Sequence, residues 1–127
     1  MSKIVYVKHY TREMIRHFHY NLFVFGDNMI RTGYGGQAAA ARDEPNAVGI
    51  PTKWEPNSKP SSYFVDDDFD KVVPVIDKEF KRLWQHPNKI VWPMDGIGTG
   101  LAQLDVRAPK IFNYIEYKKL ELELEKW

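Results

Sequence analysis

The sequence predicts an α/β domain in which a central sheet lies between helices. Short apolar segments alternate along the chain with segments whose apolar residues recur at helical spacing. Two of the short segments, Leu22–Phe25 and Ile90–Trp92, show no polar alternation, which is typical of strands buried on both faces. The length of 127 residues is that of one ordinary domain, so we expect a single domain over residues 1–127.

Four strands and a short first helix are predicted from these segments. A helix follows the first strand, because Thr11 is a suitable N-cap and apolar residues follow it on one face. The strands are Ile4–Val7, Leu22–Phe25, Ala47–Ile50 and Ile90–Trp92.

Further helical patterns fill the intervals between the strands. Four alanines predict a helix over Gln37–Arg42. Apolar residues three and four positions apart predict a long amphipathic helix over 69–84, with three aspartates before it as partners for the helix dipole. Pro74 is expected to start or kink this helix. Pro109 fits the first turn of a later helix.

The last segment of the chain carries two conflicting patterns. Leucines at 120, 122 and 124 alternate with glutamates at 121, 123 and 125, and a period of two is typical of a strand. Leucine, glutamate and lysine nevertheless favour a helix. We expect a final edge strand here.

Composition excludes several classes of protein. The 18 basic and 17 acidic residues give a net charge of +1, so a general electrostatic nucleic-acid binder is not expected, although a local basic groove is not excluded. Without cysteine there is no disulfide framework, thiolate zinc site or cysteine nucleophile. The four histidines offer no clean metal set, and we expect neither a metal nor a cofactor. Since no segment fits a signal peptide or a membrane span, we expect a cytoplasmic protein without a membrane partner.

Seven of the eight glycines fall in two windows, each following one of the two buried strands. Glycine lets a ligand approach main-chain amides closely, and amides after a strand are suited to bind an anion. Since ligands of open α/β sheets bind at the carboxyl ends of strands, we expect the two windows to share one phosphate site. Plain tight turns are the alternative, and neither window fits a P-loop or a dinucleotide fingerprint.

Three motifs of the chain together resemble a known family. They are Gly-Asp-Asn at 26–28 with Gly-Tyr-Gly-Gly-Gln-Ala at 33–38, Ile-Pro-Thr-Lys at 50–53, and Trp-Pro-Met-Asp-Gly-Ile-Gly-Thr-Gly-Leu-Ala-Gln-Leu at 92–104. The chain resembles a macro domain over about residues 20–117, and most of all the compact branch with terminal ADP-ribose glycohydrolases and antitoxin-type macro domains. This resemblance implies a three-layer α/β/α sandwich with a mixed central sheet.

The resemblance also implies roles for individual residues. Asn28 would face the distal ribose, and Lys53 would match the lysine that attacks its anomeric carbon. The residues that would line the ribose and phosphates are Gly33, Gly35 and Gly36 in the first window and Gly96, Ile97, Gly98, Thr99, Gly100 and Leu101 in the second.

Two departures from the family pattern bear on catalysis and on adenine binding. Ala102 stands where the hydrolytic branch has an acidic residue, so the acid/base role has no matching residue; the alternative to a covalent intermediate on Lys53 is that Asp27 or Asp95 activates water. No aspartate suited to adenine lies between Ile4 and Leu22. Lys53 is otherwise an ordinary surface lysine, and both aspartates are otherwise turn caps.

These observations leave three hypotheses for the function. The first is an enzyme that binds ADP-ribose or a terminal ADP-ribosyl group and hydrolyses it from protein or nucleic acid, with nucleic acid a partner only as modified substrate. The second is a non-catalytic module that binds ADP-ribose. The third is an unrelated small nucleotide or phosphoester protein on a similar fold.

Overall fold

The computed structural model describes residues 3–124, and its sheet consists of four parallel strands. The order in the sheet is β1-β4-β2-β3, and every neighbouring pair is parallel. The four predicted strands are confirmed, and the second and third each extend three residues beyond their predicted ends. The strands are β1 (Ile4–Val7), β2 (Leu22–Asn28), β3 (Ala47–Lys53) and β4 (Ile90–Pro93).

Helices fill the connections between the strands. Thr11 is confirmed as an N-cap, because its Oγ1 accepts a hydrogen bond from the Met14 amide at 3.0 Å. Short 3₁₀ turns occupy 60–62 and 66–68. Within residues 3–124 the α-helices are α1 (Arg12–His17), α2 (Ala38–Ala41), α3 (Phe69–Gln85), α4 (Leu104–Arg107) and α5 (Pro109–Leu124).

Alternate side chains of the strands enter two separate apolar clusters. Leu22 and Val24 belong to a cluster that includes residues of α3, α4 and α5. Phe23 and Phe25 belong to a second cluster, formed with residues of α1 and α2. Because successive strand side chains point to opposite faces, helices pack on both faces of the sheet.

The long helix α3 begins earlier than its proline. Pro74 lies six residues into the helix, so the expectation that it starts the helix is wrong. A 3₁₀ turn over 66–68 leads directly into α3, and Asp68 Oδ2 accepts the Val65 amide at 3.0 Å. The proline removes the amide that would otherwise donate to the Asp70 carbonyl, and the helix continues past it.

The C-terminal segment is helical, and the edge strand expected there is wrong. The α5 helix runs through Leu124, and position 125 lies outside the described residues. Helical spacing puts Ile111, Ile115 and Leu122 in the core, while Leu120 is half exposed. Ion pairs within α5 join Lys119 to Glu116 and Lys118 to Glu121. Both pairs are three positions apart, a spacing that stabilises a helix and that does not occur between paired strands.

The sheet is also parallel where a mixed one was expected. The mixed sheet was implied by the resemblance to macro domains, but every strand pair of the sheet in residues 3–124 is parallel, and the C-terminal segment up to Leu124 is a helix. Only an isolated antiparallel bridge between Lys53 and Tyr63 departs from the parallel arrangement in the described chain.

Strands β2 and β4 separate towards their carboxyl ends. Their pairing covers only two positions, Leu22 with Ile90 and Phe23 with Val91. Beyond these the Tyr10 hydroxyl lies between the strands, 2.9 Å from the Val24 carbonyl and 3.1 Å from the Val91 carbonyl. A crevice therefore opens between the ends of two strands in the middle of the sheet, where open α/β folds bind their ligands.

Candidate functional site

A cavity of about 560 Å³ lies at the carboxyl ends of β2 and β4. It is lined by a first glycine loop (residues 29–37) and a second glycine loop (residues 94–103). The two loops therefore share one crevice, as the sequence predicted. Ile97 is buried in the core and does not line the wall. The other predicted residues in the wall are Asp27, Asn28, Gly33, Gly35, Gly36, Lys53, Asp95, Gly96, Gly98, Thr99, Gly100 and Leu101.

Glycines of both loops and of β2 lie close to residues on the opposite side of the crevice. A Cβ on Gly26 would lie 3.7 Å from the Gly98 amide nitrogen, and a Cβ on Gly36 would lie 3.9 Å from Leu101 Cδ1. Gly98 has a φ of +81° and packs against Leu104, so a side chain there would be both strained and crowded. Of these three positions, Gly98 is therefore the one where the lack of a side chain determines the packing.

Gln37 joins the two sides by hydrogen bonds at both ends of its side-chain amide. Its Oε1 accepts the Gly26 amide at 2.8 Å, and its Nε2 donates to the Gly96 carbonyl at 2.9 Å. Sequence reasoning included Gln37 in a motif but assigned it no role. Its position just before the alanine-rich helix gave no indication that it reaches the other loop.

Main-chain amides along both loops are available to a ligand. Within residues 3–124, no protein group accepts the amides of Gly35, Gly36, Gly98, Thr99 or Gly100. The Gly96 amide, by contrast, donates to the Pro93 carbonyl at 2.9 Å and closes the turn after β4. Successive free amides in such turns form concave sites for anions.

Asp27 is buried and already paired. Its carboxylate forms ion pairs with Arg42 and, at 3.1 Å, with Arg31, and it accepts the Asn28 amide at 2.8 Å. A Cβ on Gly49 of the neighbouring strand would overlap this carboxylate, so Gly49 provides its space. Since both oxygens are occupied, Asp27 is poorly suited to activate water, and its geometry is that of a structural ion pair.

The two arginines were not identified from the sequence. Arg42 also donates to the Gly33 carbonyl at 2.5 Å and to the Thr32 carbonyl at 3.2 Å, which ties the first glycine loop to β2. Arg31 donates to the Gly49 carbonyl at 2.7 Å. Their partners, which for Arg31 include Glu79, lie 4 to 48 positions away in the sequence, and the sequence analysis did not identify the pairing.

Asn28 ends β2 and is 5% exposed. Its Nδ2 donates to the Thr32 carbonyl at 2.8 Å, and its Oδ1 accepts the Thr32 amide at 3.4 Å. The side chain therefore closes the start of the first glycine loop. One N–H of Nδ2 remains for a ligand hydroxyl on the cavity side, because a primary amide carries two donors.

Lys53 is the last residue of β3 and is half-buried in the cavity wall. Its Nζ donates to the Asn57 carbonyl at 2.7 Å and lies 4.5 Å from the centre of the Tyr63 ring. Burial, together with the nearby positive charge of Arg107, lowers the pKa of the Lys53 amine. A larger fraction of this amine is therefore neutral, as a nucleophile must be.

The second glycine loop provides main-chain atoms more than side chains. The Thr99 hydroxyl donates to the Asp95 carbonyl at 3.0 Å, so its proton is used within the loop and not for a phosphate. The Asp95 side chain is exposed at the edge of the cavity. Ala102, in the position where the resemblance implies an acid, is buried in the wall.

The fold and the site define an α/β domain with an amide-lined cavity at the carboxyl ends of two parallel strands. The chain belongs to DUF7831, a family of unknown function whose model matches residues 5–118. No significant match is found among curated proteins or among solved structures. In the part of the chain that the structure describes, no helix is long and apolar enough to cross a membrane.

Proposed function

We propose that this protein binds ADP-ribose or a terminal ADP-ribosyl group, with the diphosphate between the two glycine loops. The observation that carries the proposal is the pair of loops with unpartnered amides on one cavity wall. The cavity volume of about 560 Å³ is within the range of small-molecule and cofactor sites. Helices packed on both faces of the sheet favour a three-layer, macro-domain-like α/β/α arrangement.

The proposal extends to hydrolysis, with Lys53 as the nucleophile. The neutral Lys53 amine would form a bond to the anomeric carbon of the distal ribose, while the bond from that carbon to the macromolecule breaks and its electron pair leaves with the macromolecule. The new ammonium loses a proton to solvent, and the departing group takes one up. Water then attacks the same carbon while the bond from that carbon to the Lys53 nitrogen breaks; the electron pair of that bond passes to the nitrogen, the water loses one proton and the nitrogen gains one, so that ADP-ribose is released and the neutral amine is restored. The half-buried position and lowered pKa of Lys53 support this assignment.

The roles of the carboxylates follow from their partners. Asp27 would orient the first loop through its arginines and not act as a base, since both of its oxygens are engaged. Asp95 is the other carboxylate in the cavity wall and is exposed to water. It is therefore the better candidate for the residue that activates the attacking water.

Calorimetry with ADP-ribose and an assay on ADP-ribosylated protein and DNA test the proposal. Lys53→Ala should abolish release of ADP-ribose and retain its binding, because the glycine loops hold the diphosphate. The matched control is Lys59→Ala, which removes an exposed lysine of the neighbouring segment and should change neither result. If wild-type protein does not bind ADP-ribose, the proposed function is wrong.

A non-catalytic module is the second candidate, and a specific observation favours it. Ala102 provides no acid beside the second loop, and the Lys53 Nζ is bonded to the Asn57 carbonyl. Binding of ADP-ribose without release from either macromolecule would establish this candidate. Stabilisation by a different nucleotide, with no effect of ADP-ribose, would instead favour an unrelated nucleotide protein; a ligand at 100 times its Kd adds roughly 2.7 kcal/mol.

A further inference from the structure

Lys53 and Arg107 are two cations that share one aromatic ring. The Lys53 Nζ lies 4.5 Å from the centre of the Tyr63 ring, and the Arg107 guanidinium carbon lies 4.0 Å from the same centre. The two charges are therefore closer to each other than the roughly 10 Å screening length of 0.1 M salt. Cations are attracted to an aromatic ring, whereas they repel each other.

Burial and a backbone bridge both restrict the position of the Tyr63 ring. Tyr63 is 8% exposed, and its backbone forms an antiparallel bridge with Lys53. Neither Tyr63 nor Arg107 lines the cavity in the described structure, whereas Lys53 does. Arg107 therefore reaches the cavity only through its effect on Lys53.

Arg107 is also connected to the second glycine loop. Its Nε donates to Gln103 Oε1 at 2.7 Å, and the Gln103 amide donates to the Gly100 carbonyl at 3.1 Å. Gln103 has a φ of +49°, which sets the direction in which α4 leaves the loop. The guanidinium is thus held at a defined place beside Tyr63, one turn of helix beyond the loop.

We propose that Arg107 is a positioning residue that raises the neutral fraction of the Lys53 amine, acting across the Tyr63 ring. This inference rests on the proposed function, because only a nucleophilic role requires a neutral amine. Arg107 contacts neither the ligand nor the reacting carbon. Its charge makes a second charge on Lys53 unfavourable and so opposes the attraction between the charged amine and the Tyr63 ring.

Other charged groups near Lys53 do not replace this effect. Burial lowers the Lys53 pKa most, and the charge of Arg107 lowers it further. Asp27 and Arg42 neutralise each other in the wall, and Asp95 is exposed. Exposed charges on the adjoining segments are Glu55, Lys59 and Asp105.

Acetylation by N-hydroxysuccinimide acetate measures the neutral amine without ADP-ribose. The amine forms an amide with the acetyl group, N-hydroxysuccinimide leaves, and the proton passes to the buffer. Mass spectrometry of the peptide that contains Lys53, over a pH series, gives the labelling rate. With Arg107→Gln we expect the rate at neutral pH to fall at least twofold, and the pH midpoint to rise.

Two variants separate charge from structure. Arg107→Lys retains the charge and should restore the wild-type labelling rate. Lys110→Gln removes another exposed cation, on α5, whose Nζ lies 4.7 Å from the centre of the Phe69 ring. This variant should leave Lys53 labelling unchanged. Wild-type labelling of Arg107→Gln overturns the inference. If Arg107→Lys lowers the labelling rate as much as Arg107→Gln does, the inference is also overturned, because the charge would then not be the cause.

Turnover provides a second readout that a purely structural role would not change. In Arg107→Gln we expect a lower kcat at neutral pH with KM retained, and an acidic limb of the pH–rate profile moved to higher pH. Failure of the wild type to bind ADP-ribose would overturn the proposed function while labelling still reports on Arg107. Normal turnover together with unchanged labelling in Arg107→Gln would overturn this inference alone.

Discussion

Replacing Gln37 with leucine tests whether one side chain sets the spacing of the two glycine loops. Leucine has nearly the same size as glutamine but neither donates nor accepts. The Gly26 amide and the Gly96 carbonyl would each lose their partner, at 2.8 and 2.9 Å in the wild type. We expect both a less stable fold and a weaker ligand site, because the same two bonds stabilise the loops and align their amides.

The magnitude follows from the two bonds and their surroundings. A hydrogen bond contributes about 1 kcal/mol net, and a buried group left without a partner costs about 1–3 kcal/mol. Both groups lie beside the cavity, where water can partly replace Gln37. We therefore expect a loss of about 2 kcal/mol in the free energy of unfolding, which lowers Tm by roughly 5–10 °C for a domain of this size.

Differential scanning calorimetry and titration with ADP-ribose measure the two effects. We expect the affinity to fall about tenfold, which corresponds to about 1.4 kcal/mol. Gln85→Leu is the matched control, because Gln85 is exposed at the end of α3 and should give wild-type values. If Gln37→Leu has the Tm and the affinity of the wild type, Gln37 does not set the spacing of the loops.

Two further predictions concern the packing around the site and the C-terminal helix. Gly49→Ala should destabilise the fold by about 3–5 kcal/mol in chemical denaturation, because its Cβ would displace the Asp27 carboxylate from two arginines; a loss below about 1 kcal/mol would show that the ion pairs adapt. Burial, and then the bond to Asp77, raise the pKa of Tyr114 to about 12 from 10.0. The folded state holds the Tyr114 proton more tightly than the unfolded state, so its contribution is complete below pH 10 and is lost as the pH rises towards 12. The difference in unfolding free energy between wild type and Tyr114→Phe should shrink over this range, and a constant difference would contradict the assignment.

The two central strands were predictable because short apolar segments without polar alternation are typical of strands that are buried on both faces. Leu22–Phe25 and Ile90–Trp92 are apolar without alternation, and both occupy the middle of a sheet that is covered on each face. The three residues by which β2 continues beyond Phe25 were not predictable from the local pattern. Polar residues such as Asp27 and Asn28 continue β2 because β3 pairs with them across a register shift.

The C-terminal segment shows why a short alternation is weak evidence. Leu122 is fully buried, whereas Leu124 is 72% exposed, so the alternating leucines do not share an environment. The pattern that matters begins at Ile111 and extends over three turns of helix. A window that starts at Leu120 cannot detect it.

Part of the candidate site was predictable, and the reason is its glycines. Gly98 must adopt a positive φ and fit against Leu104, and such requirements are visible in the sequence as glycine itself. The partners of Asp27 and the reach of Gln37 depend on how distant segments meet. Those contacts follow from the topology of the sheet and not from the residues beside them.

The parting of β2 and β4 around the Tyr10 hydroxyl has a consequence for how binding preference can change. Many of the groups that can hydrogen-bond in the cavity are main-chain amides of the two glycine loops, which depend on the backbone conformation and not on the identity of a side chain. Tyr34 and Leu101 line the same cavity with side chains that are exposed to solvent, so substitutions there disturb these amides least. Variants at Tyr34 and Leu101 should change which ligands are preferred while the main-chain amides of the loops stay in place.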